Sequence, residues 1–170
     1  MGDLFTQYPS KVEKCIYGNC LIAAKEIPKG TVVEHFKGPI VPRTMIPHEE
    51  ICYALLIEND RWILPTTNAR YLNHSCNPNC KINDLNDVVT TRAIKYNEEL
   101  TISYNIVYEK DEDPGDWDSC WTFQCKCGSK NCQGLVDKYI TPDGKPWISE
   151  NLLNTLEEYV PLMAVSKSKS

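Results

Sequence analysis

Short apolar runs rich in β-branched and aromatic residues alternate with polar turn residues along most of this chain. Runs this short, broken every few residues by Gly, Pro, Asn or Asp, predict a mainly β fold built from short strands. Strands are expected over 31–36, 52–57, 62–64, 88–93 and 100–103, with Pro28-Lys29-Gly30 and Gly38-Pro39 as the turns that bracket the first. Residues 46–51 read as one short helix opened by Pro47, whose fixed φ suits a first helical position and whose missing N–H costs nothing there. Helical periodicity returns only near the C-terminus. There Ser149 can cap a helix over 148–163 that carries Leu152, Leu156, Tyr159 and Met163 on one side, with Pro161 bringing it to an end. The tail, 166–170, is expected to be disordered.

Composition narrows the function classes. The chain has 170 residues, 42% hydrophobic and 24% charged, which suits one globular domain. No run approaches the roughly 18 apolar residues of a membrane span, and residues 1–10 lack the basic and apolar blocks of a secretory signal, so an intracellular chain without membrane contact is expected. A net charge of -5 argues against direct nucleic-acid binding, which needs a basic stripe to engage phosphates, and favours a basic protein partner. The acid is densest in the connecting loop 109–123, where Asp111, Glu112, Asp113, Asp116 and Asp118 surround Trp117 and Trp121. This loop reads equally as a dock for a lysine-rich peptide and as a solvated loop around the Pro114-Gly115 turn.

Nine cysteines, an odd number in a chain without a signal, point to metal and free thiols rather than to disulfides. Cys125, Cys127 and Cys132 give three sulfurs at Cys-x-Cys-x4-Cys spacing, one short of the four thiolates of a structural zinc, and the turn over 128–131 would swing Cys132 back to its partners. Two cysteines can fill the last corner. Cys120 would close a local knuckle, whereas Cys76 would fold the C-terminal segment back over the middle of the chain and roof a pocket. Ordinary reduced thiols in a loop are the bland alternative. Cys15, Cys20, Cys52 and Cys80 read as buried hydrophobes.

Two central segments carry more polarity than packing requires. Residues 70–80, Arg-Tyr-Leu-Asn-His-Ser-Cys-Asn-Pro-Asn-Cys, need either a ligand or an internal hydrogen-bond network to satisfy them. A lone histidine is more often a structural hydrogen-bonder than a catalyst, so the ring of His74 is assigned that role and its backbone to the lining of a ligand site. Residues 98–105 form a strand that ends on Tyr104, which taken alone is a half-buried packing tyrosine.

Together with the cysteines, these segments resemble the SET-domain protein lysine methyltransferases over about residues 11–135. Residues 17–30 look like the opening segment of that family, 70–79 like its Asn-His-Ser-Cys motif, 99–104 like its Glu-Leu-Thr-x-x-Tyr motif, and 124–134 like its zinc-binding post-SET segment. The resemblance implies a SET fold of small β-sheets with a knot-like core, short helices and a terminal helix. It implies a SET-like catalytic domain over 11–108, the loop 109–123, a post-SET segment over 124–140 and the helix over 148–163. It further implies transfer of methyl groups from S-adenosylmethionine to a lysine of a basic protein or peptide, such as a histone tail, in the nucleus. On that resemblance Gly18, Asn19, Cys20, Tyr53, Arg70, Asn73, His74 and Tyr104 would hold the donor, with Arg70 acting mainly through its backbone, and Tyr104 would sit at the methyl-transfer centre. Cys76, Cys125, Cys127 and Cys132 would hold the structural zinc, which favours Cys76 over Cys120.

Ile102 falls where the family carries a tyrosine that restricts methylation or a phenylalanine that permits more, and lacking the restricting hydroxyl it implies multiple methylation. Departures from the pattern are Cys20, where a second glycine is usual and a side chain fits only at negative φ, and Gln133 and Leu135, which replace an arginine and a frequent aromatic. The rival reading from another class is a zinc-stabilised peptide-binding module that kept the fold and lost turnover.

Overall fold

The computed structural model describes residues 8–16, 18–104, 123–136, 139–140, 146–148 and 166–167. Their chain forms two compact units, the first Met1–Asn73 with Pro78–Ser103, the second His74–Asn77 with Tyr104–Ser170. As expected, the fold is mainly strand in small sheets with few helices.

In the first unit β1 (Ser10–Cys15) and β2 (Gly18–Ala23) form an antiparallel hairpin in which Cys15 faces Gly18 and Glu13 faces Cys20. The sequence pattern did not single out this hairpin, because Lys11, Glu13 and Lys14 break up the apolar signal of β1. β2 is the better strand. Its last four residues, Cys-Leu-Ile-Ala, are all buried, as a strand covered on both faces should be. Its free edge is stitched to the segment before the next motif by Ala23 N–H to the Glu98 carbonyl at 2.9 Å and by Leu100 N–H to the Leu21 carbonyl at 2.8 Å. Leu21 and Leu100 are fully buried there, and each contributes about 1.5–3 kcal/mol by leaving water.

A three-stranded antiparallel sheet places β9 (Asp87–Thr90) between β3 (Val32–His35) and β8 (Cys80–Ile82). A second places β6 (Arg61–Ile63) between β4 (Ile40–Val41) and β5 (Leu55–Glu58). The β5–β6 turn uses Asn59 and Asp60, both at positive φ, the conformation that lets a two-residue hairpin match the strand twist. Asp60 Oδ1 then accepts from Trp62 Nε1 at 3.0 Å and from the Arg43 N–H at 3.1 Å.

The strand expected over 52–57 is corrected. Residues His48–Tyr53 form a 3-10 helix with Pro47 at its N-cap, and β5 begins only at Leu55. The apolar run Ile51-Cys52-Tyr53-Ala54-Leu55-Leu56 is therefore divided between two elements, an ambiguity that short apolar runs always carry. Two further short 3-10 helices, Arg43–Met45 and Asn68–Tyr71, precede the helix His48–Tyr53 and the Asn-His-Ser-Cys segment respectively. The chain passes between units within β7 (Asn73–His74), and β10 (Thr101–Ile102) closes the first unit.

In the second unit β11 (Phe123–Gln124) pairs antiparallel with β12 (Leu135–Val136) and encloses the cysteine-rich turn. β13 (Tyr139–Ile140) pairs antiparallel with β14 (Pro146–Ile148), and β14 pairs in parallel with β15 (Ser166–Lys167). Ser166 and Lys167 were expected in a disordered tail and are instead held by backbone pairing to Trp147 and Ile148. The helix expected over 148–163 lies outside the described residues apart from Ile148, which ends β14.

Candidate functional site

Within the first unit the expected donor-binding residues fall into two clusters. In one, the Arg70 guanidinium lies 4.6 Å from the centre of the Tyr53 ring and donates from Nη2 to Glu50 Oε2 at 2.7 Å. Glu50 and Tyr53 come from one short helix and Arg70 from another, so the ion pair and the cation–π contact staple the two together. The resemblance implied a backbone role for Arg70. Its side chain nevertheless makes the ion pair and the ring contact, while Nε is buried and has no hydrogen-bond partner among the described residues.

The second cluster surrounds Asn73. Its Nδ2 donates to Glu99 Oε1 at 2.8 Å and lies 3.9 Å from Cys15 Sγ. Gly18, Asn19 and Cys20 run alongside on β2. Gly18 has φ +112, and a Cβ built on it would meet nothing within 4 Å, so the backbone there is open to close approach. Cys20 is not among the positive-φ residues and sits within the regular hairpin, so a side chain at this position carries no backbone strain. Burial, reinforced by the neighbouring Cys15 thiol, pushes the Cys20 thiol up to about 12. Cys15 is only half-buried and Cys52 is exposed, which corrects the expectation that both are buried, whereas Cys20 and Cys80 are.

The polar crowding of 70–80 is met in part by an internal network. Asn79, 3% exposed, donates from Nδ2 to the Glu99 carbonyl at 2.8 Å and accepts at Oδ1 from the Thr101 N–H at 2.9 Å. One buried amide thus clamps the start of the strand that leads to Tyr104.

The second unit holds the remaining candidates. His74 Nδ1 accepts from the Tyr104 N–H at 2.9 Å, which places the proton of the neutral ring on Nε2. Burial keeps the ring in that neutral form by lowering its pKa. Nε2 then donates to Cys76 Sγ at 3.3 Å. One imidazole therefore fixes both the backbone of the candidate catalytic tyrosine and a sulfur of the candidate metal centre. The rings of His74 and Tyr104 meet edge to face at 5.5 Å, and the Phe123 ring meets Tyr104 edge to face at 6.3 Å. Phe123 was not singled out from the sequence, since nothing in its spacing marks it. Trp117 and Trp121, with the rest of the acidic loop, lie outside the described residues.

The four sulfurs of Cys76, Cys125, Cys127 and Cys132 all lie within 4.8 Å of one another. Cys120, the other candidate for the fourth corner, lies outside the described residues. Gly128 at φ +71 turns the chain, and the Cys132 N–H reaches the Ser129 carbonyl at 3.1 Å, which brings Cys132 back to the group. Cys76 Sγ and Cys125 Sγ are 3.7 Å apart, close to the spacing of about 3.8 Å that a tetrahedral tetrathiolate requires. The Gln133 N–H donates to Cys76 Sγ at 3.3 Å, and Asn131 Nδ2 to the Cys76 carbonyl at 3.3 Å. N–H donors to sulfur support thiolate character, as expected around a ligating cysteine.

Without a cation these thiols hold their protons unevenly. Burial pushes Cys125 well above the usual thiol range and raises Cys76. Burial also opposes ionisation of Cys127, but hydrogen bonds from Ser129 and the backbone outweigh it and bring that thiol down to about 6. Four sulfurs this close cannot all ionise unless a positive charge sits among them. The donor set, all soft sulfur with no open corner, fits a structural zinc and leaves no position for a reactive water.

Comparison with known proteins identifies the family. The SET-domain profile matches residues 18–105, just over half of the chain. A histone-lysine N-methyltransferase of Drosophila virilis, trithorax, is 28% identical over 155 residues, covering 81% of this chain and 4% of the relative. Human histone-lysine N-methyltransferase 2D is 32% identical over 136 residues, covering 69% of this chain and 2% of the relative. The chain therefore spans only a small part of the length of these relatives. A solved Plasmodium falciparum protein assigned as a histone methyltransferase superposes with a TM-score of 0.51 at 20% identity, over 60% of this chain and 97% of that one, which supports the fold. On the span of the profile match, and with both motifs and the cysteine set in place, the chain belongs to the SET-domain family.

Proposed function

We propose that this protein transfers methyl groups from S-adenosylmethionine to a lysine side chain of a basic protein, a histone tail being the class of substrate its relatives suggest. The observation that carries the reading is that Tyr104 and a four-thiol cluster containing Cys76 stand in one unit, joined through the His74 ring. The net charge of -5 suits a lysine-rich partner, and a nuclear site of action follows from the same class of substrate.

The donor supplies an electrophilic methyl on a sulfonium when bound. Gly18, Asn19, Cys20, Tyr53, Arg70, Asn73, His74 and Tyr104 are assigned to holding it. The open backbone at Gly18 and the unpaired Arg70 Nε are the features that support such a ligand. Lysine stays protonated to about pH 10.4 in water, so the enzyme must present it as a neutral amine. Burial beside a positive sulfur disfavours the ammonium, and the proton then leaves through water without a strong protein base. The Tyr104 hydroxyl is assigned to orienting the amine for in-line attack, with alignment and exclusion of water lowering the barrier. Zinc held by Cys76, Cys125, Cys127 and Cys132 is assigned a structural role. Ile102, buried in β10, offers no hydroxyl to restrict the site, and more than one methyl per lysine is expected.

The test is methyl transfer from labelled donor to histones and to an array of basic peptides, with products read by mass spectrometry and donor binding read by calorimetry. Wild type should yield di- or trimethyl-lysine. Tyr104→Phe should bind donor with turnover reduced about 100-fold, the scale of a lost positioning contact. Binding of basic peptides with no donor affinity would replace this reading by the peptide-binding module, and monomethyl product after exhaustive turnover would remove the role given to Ile102.

A further inference from the structure

The hairpin register gathers a second set of metal-ligating side chains, two thiols and a carboxylate, of which Cys20 lies on the segment assigned to the donor and Cys15 and Glu99 have no assigned role in the reaction. Glu13 faces Cys20 across the β1–β2 ladder, and Cys15 lies two residues beyond Glu13, so both thiols emerge on the same face. On the other edge of β2, Ile22 is paired with Glu99, and Cys20 lies two residues from Ile22, so the Glu99 carboxylate joins that face from a third segment. Cys15 Sγ, Cys20 Sγ and a Glu99 oxygen all lie within 4.8 Å of one another. Cys20 is buried, while Cys15 and Glu99 are half-buried, which gives a route for an ion from solvent.

We propose that Cys15, Cys20 and Glu99 form a second metal site, separate from the Cys76 centre, that takes a soft or borderline dication of the zinc class through two thiolates and one carboxylate. The ligand types are those such an ion selects. Ligand atoms around a tetrahedral zinc stand about 3.5–3.8 Å apart, so closing from within 4.8 Å needs side-chain adjustment of about 1 Å and no backbone rearrangement. A supporting contact is already present. Asn73 Nδ2 bonds Glu99 Oε1 at 2.8 Å, which orients the carboxylate and leaves Oε2 for a metal. Three protein ligands leave the fourth corner to water or a small exchangeable ligand, unlike the closed tetrathiolate.

The site is tested on the full chain, reduced and stripped of metal, by titration with cadmium(II) and separately with zinc(II), counting bound metal after desalting and recording the cadmium-113 NMR spectrum. Wild type should retain two equivalents and show two cadmium resonances, one in the tetrathiolate region and one shifted toward oxygen coordination. Cys15→Ser and Cys20→Ser should each retain one equivalent and lose the second resonance, and Glu99→Gln should weaken the second site at least tenfold. Saturation of wild type at one equivalent, a single cadmium resonance, or two equivalents retained by both serine variants would overturn the proposal. The wild-type spectrum decides the matter even where a variant misfolds. Metal counts do not depend on turnover, so this result and the outcome of the methyl-transfer assay stand apart.

Discussion

Asn79 illustrates how much a single side chain can carry. Besides clamping Glu99 and Thr101, its Nδ2 reaches Glu98 Oε1 at 3.3 Å, and Glu98 is in turn held by Arg92 Nη2 and by the Lys95 N–H at 3.0 Å. The Arg92 guanidinium, with those N–H donors, lowers the Glu98 carboxyl to about 2. A depressed carboxyl stabilises the fold at every pH above its unfolded value, near 4.3, and that contribution fades as pH falls from there toward 2. Arg92 is more than half exposed, so solvent screening holds the contribution to about 1 kcal/mol. Glu98→Gln should therefore lower the urea-unfolding free energy by about 1 kcal/mol at pH 7, and the gap to wild type should close between pH 4.5 and pH 2. A gap that stays constant across that range would show that Glu98 stabilises through something other than its charge.

Among the elements, the β3–β4 connection is fixed by backbone contact. Gly38 lies against Leu64, and a Cβ placed on it would come within 1.8 Å of the Leu64 carbonyl oxygen. Flanking bonds leave no room to yield, with Leu64 N–H to the Pro39 carbonyl and Thr66 N–H to the Lys37 carbonyl both at 2.9 Å. Gly38→Ala should destabilise the protein by about 3 kcal/mol, the upper range for overpacking, and a thermal melt within 2–4 °C of wild type would contradict it. The sequence marks this place only as a Gly-Pro turn; that glycine is needed for close approach becomes visible once residues 26 positions apart are neighbours. The strands at 31–36, 62–64, 88–93 and 100–103 were legible because short β-branched and aromatic runs stand between turn residues there, and each is present as β3, β6, β9 and β10 with its ends shifted or shortened. β1 and β8 were not, since Lys, Glu and Cys at their alternate positions dilute the pattern.

At the level of the whole molecule, the chemistry was legible to the extent that it is local. Cys-x-Cys-x4-Cys announces three ligands by spacing alone, but choosing Cys76 over Cys120 needed the family resemblance, because nothing in spacing ties residue 76 to residue 125. The Cys15, Cys20 and Glu99 grouping was illegible for the same reason: it depends on three segments lying side by side on β2. The division into two units makes the metal centre separable from the first unit's core. Metal binding at a tetrathiolate is folding free energy, about 10–16 kcal/mol in small zinc domains, so its removal should be felt first where the sulfurs are held. Chelation should release the Gln133 N–H from Cys76 and weaken the Cys125 N–H bond to the Gly134 carbonyl, now 2.8 Å. Hydrogen exchange at Cys125, Cys132 and Gln133 should accelerate at least tenfold, about 1.4 kcal/mol of lost local stability, while Leu100, bonded to Leu21 in the first unit, keeps its protection. Tyr104 reports on the link between the two chemistries. Its N–H is held by His74, whose other nitrogen loses an ionised sulfur acceptor when the metal leaves. Faster exchange at Tyr104 on chelation would show that the zinc centre steadies the catalytic tyrosine through one imidazole, and unchanged exchange there, with Gln133 released, would confine the metal to its own loop.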